Sequence, residues 1–108
     1  MIVNINSADT VTRTHNWSVY IILAANNSLY TGITNNMNRR WRQHRQTAKG
    51  AKFFRGNRPF ALCYQEPNHT RQTASRREYT IKQLSRNDKW DLILSNYGPN
   101  KNDQTGQT

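Results

Sequence analysis

Five side chains of reactive or phosphate-binding type fall at spacings that aim them at one another. Tyr20 and Tyr30 flank an Asn26-Asn27 pair suited to a turn. With the turn centred on Asn26, residue 20 opposes 32 and residue 22 opposes 30, which puts both phenols on one face as diagonal neighbours. A slip of one residue would part them, and ordinary strand aromatics have the same spacing. Gly32 is the residue opposite Tyr20 in that register, and a strand glycine often marks close approach by a ligand or another backbone. Further on, Met37, Trp41 and His44 follow the i, i+4, i+7 pattern of an inward helical stripe. Arg40 borders that stripe, three residues from Met37 and four from His44. Glu78 lies four residues after Ala74 and three before Ile81, on the face of a helix that should pack inward. Burying an unpaired carboxylate is costly, so an arginine, a metal ion or a water-filled cleft must compensate. A structural Glu–Arg pair is the plain solution. A hydrated divalent cation shared with a substrate phosphate is the functional one.

Other reactive residues offer less. His15, His44 and His69 have no metal-ligand spacing, and Cys63, the sole cysteine, allows neither an intrachain disulfide nor a cysteine-based zinc site. On its strand it reads as a small core residue. There is no glycine-rich phosphate loop and no G-x-S-x-G elbow. Trp17, Trp41 and Trp90 read as core, with base stacking by one of them as the alternative.

The elements that must position these groups are legible. Trp17 to Leu23 is aromatic and β-branched, and Leu29 to Ile33 completes a hairpin across the turn. Asn35 and Asn36 are suited to cap a helix from about Met37 to Gln46. A basic, glycine-punctuated stretch from Lys49 to Gly56 follows, then a third strand over Phe60 to Gln65, with Glu66 at its end. A second helix is expected from about Thr73 to Leu84 and a weaker third from Asp88 to Ser95, before Gly98-Pro99. The order β-β-α-β-α-α predicts an α+β domain with a small, mainly antiparallel three-stranded sheet flanked by helices. Residues 1–15 and 98–108 are polar and are expected to be tails around a domain at 16–97.

Composition narrows the partner. The chain has 108 residues, which suits one domain and excludes a multidomain enzyme. Its 16 Lys+Arg against 6 Asp+Glu give a net charge of +10, which points to a polyanion, with nucleic acid foremost. Arg39, Arg42 and Arg45 should face outward and, with Lys49, Lys52 and Arg55, supply phosphate contacts. No apolar run approaches a membrane span or a secretory leader, so no membrane partner is expected and the expected location is the cytoplasm.

The hairpin Val19-Tyr20-Ile21 and Tyr30-Thr31-Gly32 resembles the two signature strands of the GIY-YIG nucleases, with Ser18 and Val19 for the first glycine and isoleucine and Thr31 for the second isoleucine. Asn38-Arg39-Arg40-Trp41-Arg42-Gln43-His44 is similar to that family's helix start, and Arg76-Arg77-Glu78-Tyr79 to its glutamate-bearing helix. Lys49-Gly50-Ala51-Lys52 resembles a loop of the small stand-alone members. The resemblance implies metal-dependent phosphodiester cleavage in DNA, with RNA as the other candidate polymer. It assigns Tyr20 or Tyr30 to the attacking water, Arg40 to the transition-state phosphate, His44 to proton transfer, and Glu78 to Mg²⁺ or Mn²⁺ as sole protein ligand. A binding module of the same fold without catalysis is the alternative, and a basic protein packing against an acidic partner is a third reading. Specificity would come from DNA structure or from a partner protein.

Overall fold

The structure, a computed structural model, describes residues 15–46 and 50–96. The expected terminal tails fall almost wholly outside these residues, as does Lys49.

Strand β1 is Trp17–Ala24 and β2 is Leu29–Thr34. The connecting turn closes through Asn27 N–H to Ala24 O at 2.8 Å and Ala24 N–H to Ser28 O at 2.9 Å. Asn27 takes φ 74° there, the left-handed region that asparagine tolerates better than most side chains. The register is the expected one, with Tyr20 opposite Gly32 and Ile22 opposite Tyr30. Strand β3, Pro59–His69, lies on the other side of β1, giving an antiparallel sheet of order β2-β1-β3. It runs four residues past the expected end at Gln65. Its register shifts against β1 let the strand continue through Pro67, where a regular ladder would stop.

Helix α1 is Met37–Arg45, α2 is Arg71–Lys82 and α3 is Arg86–Ser95. Each begins on a side-chain cap. Asn36 Oδ1 accepts from Arg39 N–H at 3.0 Å, and Ser85 Oγ accepts from Asp88 N–H at 3.0 Å. At α2, Thr70 and Thr73 exchange two 3.0 Å bonds in a reciprocal box. That box starts α2 two residues earlier than the apolar stripe suggested. A short 3₁₀ turn, Lys52–Phe54, precedes β3 and buries Phe54.

Central strand β1 is covered on both faces, which explains its unbroken apolar run. Val19 and Ile21 pack with Tyr64, Ala74, Ile81 and Ile93, under α2 and α3. Tyr20, Ile22 and Ala24 pack with Phe54, Tyr30, Met37 and Trp41, under α1. Trp17 and Trp90 join the first core and Trp41 the second, while Cys63 is half-buried against the first. Among the described residues no helix is long and apolar enough to cross a membrane.

Candidate active site

The site grows from the α1 face of the hairpin. Tyr20 is 1% exposed, and its ring lies over Gly32. A Cβ at position 32 would stand 2.5 Å from the Tyr20 hydroxyl oxygen and 2.7 Å from Cζ, so only glycine leaves the ring its place. The close approach expected at Gly32 is thus made by the chain's own phenol. The Tyr30 ring sits 6.2 Å from that of Tyr20 and 5.3 Å from the His44 imidazole, centroid to centroid. Phe54 closes the wall at 4.6 Å from His44.

His44 is 1% exposed, and its Nε2 lies 2.7 Å from the Tyr20 hydroxyl. On the other side of the ring, Ala51 N–H points at Nδ1 at 3.4 Å. The loop comes this close because residue 50 is glycine: a Cβ there would meet Gln43 O at 2.6 Å and His44 Cα at 2.9 Å. Burial, with the Arg40 charge adding to it, lowers the His44 pKa from 6.5 to about 4, so the imidazole is neutral at pH 7. A neutral ring that accepts at Nδ1 carries its proton on Nε2. His44 therefore donates to Tyr20, and the tyrosine's own proton is left for another partner.

Arg40 is half-buried on α1, with Nη1 donating to Gln43 Oε1 at 2.8 Å. Its guanidinium also acts on the Tyr20 hydroxyl by hydrogen bonding and charge. Burial pushes the Tyr20 pKa well above its usual value, Tyr30 and Glu78 push the same way, and Arg40 opposes them. Glu78 belongs to α2, on the opposite layer from α1, yet its carboxylate reaches near enough to act on Tyr20. Tyr20, Tyr30, Arg40 and His44 are thus one packed cluster, to which Glu78 is coupled by charge from the other layer.

The compensation for Glu78 is Lys82 Nζ, one helical turn on at 3.1 Å, with the lysine half exposed. The glutamate–arginine pair weighed for Glu78 occurs instead at Glu66, where Arg77 Nε donates to Oε1 and Oε2 at 3.1 Å each. Tyr64 O–H and His69 Nε2 also bind Glu66, the latter at 2.7 Å. Burial raises the Glu66 pKa, but these hydrogen bonds and the Arg77 charge bring it below its usual value. This knot ties β3 to α2. Its signal in the sequence, Tyr64 and Glu66 two apart on one strand face, was present but shared with any strand.

As a metal site, the donor set suits one kind of cation. Among the described residues no three His, Cys, Asp or Glu gather, which does not fit zinc. A single carboxylate whose partner is a surface lysine does fit Mg²⁺ or Mn²⁺, hard cations that keep several waters and use one or two carboxylates plus substrate phosphates.

Around the cluster the charge is one-sided. Between Asn35 and Gln65 there are eight Lys+Arg and no Asp or Glu. Of these, Arg39, Arg42, Arg45, Lys52, Arg55 and Arg58 are exposed. Arg39 Nη2 is held by Asn35 Oδ1 at 3.0 Å.

An antiparallel hairpin with paired tyrosines, a basic helix over it and a glutamate-bearing helix behind defines a small nuclease-type α+β domain. The chain belongs to the GIY-YIG family: the model of the GIY-YIG catalytic domain matches residues 16–97. It is similar to UPF0213 protein DP2720 of Desulfotalea psychrophila, at 49% identity over 71% of this chain and 70% of that one. It is likewise similar to UPF0213 protein YhbQ of Escherichia coli, at 43% identity over 76% of this chain and 81% of the other. Among solved structures, the solution NMR structure of UPF0213 protein BH0048 from Bacillus halodurans aligns with a TM-score of 0.50 at 38% identity, covering 81% of this chain and 92% of that one.

Proposed function

We propose that this chain is a divalent-metal-dependent endonuclease that hydrolyses phosphodiester bonds in DNA, acting in the cytoplasm. The observation that carries the reading is the Tyr20 hydroxyl. It is buried, accepts a hydrogen bond from His44 Nε2–H, and lies beside Arg40 and within the field of Glu78. A packing tyrosine requires none of these neighbours.

In this reading Tyr20 gives up its own hydroxyl proton to solvent and, as the phenolate, orients the attacking water and takes its proton. Burial alone opposes the phenolate, whereas donors at the oxygen favour it. His44 and Arg40 are those donors, so they lower the cost of the charged form at the moment it is needed. His44 is a positioning residue, since it acts through Tyr20. Arg40 also faces the charge that develops on the phosphate oxygens. Tyr30 forms the wall that fixes the Tyr20 and His44 rings. Glu78 would hold the Mg²⁺ or Mn²⁺, which when bound supplies charge neutralisation at the phosphate and the leaving oxygen. The basic residues from Arg39 to Arg58, Lys49 included, hold the strand without reading its sequence. Specificity then rests on DNA structure or on a partner protein.

The test is cleavage of duplex, nicked, branched and single-stranded DNA with Mg²⁺ or Mn²⁺ against EDTA, for wild type, Glu78→Gln and Arg40→Ala. Glu78→Gln is expected to abolish cleavage and to leave DNA affinity intact or slightly raised. Arg40→Ala is expected to slow turnover on the order of 10³-fold, as loss of a phosphate-facing arginine does elsewhere. If purified wild type cuts nothing while binding all four, the chain is a binding module of this fold.

A further inference from the structure

Between the C-terminal half of α1 and the start of β3 lies a second concave site that the proposed chemistry does not use. It has a volume of about 440 Å³ and is lined by Ala25, Trp41, Arg45, Arg58, Pro59 and Phe60. That size is in the range of small-ligand pockets. Phe60 is 72% exposed, the most exposed large apolar side chain among the described residues. A lone exposed phenylalanine on a convex surface needs no explanation. This one is set in a concave wall with Trp41, and with two exposed arginines that make no ion pair among the described residues. An apolar protein partner would not call for two uncompensated cations, and a simple anion would not call for two aromatic rings. A nucleotide needs both.

We propose that this pocket takes an unpaired nucleobase of a DNA strand, stacked on Phe60, with the adjoining phosphates at Arg45 and Arg58. Stacking on aromatics beside a basic track is how single strands are held without sequence readout. The pocket is placed to act with the neighbouring cluster. Arg40 and Arg45 are five residues apart on one helix, about 7.5 Å along its axis. That spans about one to two nucleotides of an unpaired strand. A strand whose phosphate lies at Arg40 therefore brings its neighbouring nucleotides to the pocket. A base in a continuous duplex cannot enter it, so the pocket selects DNA that is frayed, branched or single-stranded. This role in cleavage rests on the endonuclease reading, but the binding itself does not.

The experiment separates the two by working in EDTA. Fluorescein-labelled single-stranded oligonucleotide and blunt duplex of equal length are titrated by anisotropy against wild type, Phe60→Ala, Arg58→Ala and the control Leu94→Ala, an exposed site on α3. Phe60→Ala is expected to weaken single-strand binding roughly five- to a hundredfold, the range for loss of one stacked base, and to leave duplex binding within about twofold. Arg58→Ala should flatten the single-strand salt slope by about 0.7, one phosphate's share. A 2-aminopurine in the strand should be quenched by wild type and not by Phe60→Ala. The proposal is overturned if Phe60→Ala binds single strand like Leu94→Ala, or if it weakens both DNA forms equally. Should the stacking effect appear while no variant cleaves DNA under Mg²⁺, the pocket stands and the nuclease reading falls.

Discussion

Gly32 and Tyr20 face each other across the hairpin so closely that a single methyl group at residue 32 would occupy the position of the phenol. Gly32→Ala must therefore turn the Tyr20 ring out of its place and break its 2.7 Å contact with His44. The expected loss is about 1–3 kcal/mol of stability, the usual cost of forcing volume into a packed site. Urea denaturation measures that term. Cleavage should fall far more than folding does, and equal activity in folded Gly32→Ala would show that Tyr20 is only a wall.

His44 gives a pH signature of defined sign. Its pKa is about 4 in the folded protein against 6.5 when unfolded, so between those values the unfolded chain binds the extra proton. Stability from this group is complete above pH 6.5, falls as the pH drops toward 4, and is gone below it. The full span is roughly 3 kcal/mol at 1.36 kcal/mol per unit. Urea midpoints from pH 7.5 to 4 should show the slope in wild type and lose it in His44→Gln.

The tautomer can be read directly. In ¹⁵N-labelled protein at pH 7, His44 should show a protonated Nε2 and an unprotonated Nδ1. Replacing Gly50 with Ala pushes the loop off Gln43 and His44 and should mix the two forms. A pure Nδ1–H ring in wild type would mean that Tyr20 is the donor of the pair.

At the Glu66 knot, Arg77→Ala is expected to cost about 1–2 kcal/mol, less than a fully buried pair because the Arg77 side chain is 35% exposed. The loss should be present at neutral pH and shrink as acid protonates Glu66, since a depressed carboxylate pKa contributes stability that is full above the unfolded value and is lost as the pH falls through the folded one. Thermal melts at pH 7 and pH 3 check both halves.

DNA affinity should be salt-dependent. If four to six phosphates are neutralised by the surface from Arg39 to Arg58, log K falls against log[salt] with a slope of roughly −4 to −5. Anisotropy titrations across ionic strength measure it, and a flat response would remove charge as the driving force.

Periodicity and punctuation made most of this arrangement legible. The hairpin register followed from the Asn26 turn, and the inward edge of α1 from the spacing of Met37, Trp41 and His44. Strand β3 was harder, because Pro67 looks like a stop and only a register shift carries the strand past it. Helix α2 was read as starting late because its first residues are polar and are held by the Thr70–Thr73 exchange rather than by burial. The partner of Glu78 is local: Lys82 stands four residues on, the spacing of a helical ion pair, so it needs no tertiary distance to be placed. Phe60 read as one more alternating strand residue, and nothing local marks it as exposed.

The alternation along β1 has an evolutionary consequence. Ile21 and Ile22 are adjacent, identical and equally buried, yet one belongs to the core under α2 and α3 and the other to the core beside the Tyr20 cluster. Substitutions at Val19 or Ile21 therefore trade mainly in persistence of the fold, and those at Ile22 or Ala24 mainly in the shape of the reactive face. With Tyr20 held by the chemistry proposed for it, the even-numbered positions beside it answer to the shape of that face, and the odd-numbered ones to the packing under α2 and α3. Two separate demands are thus carried by one strand.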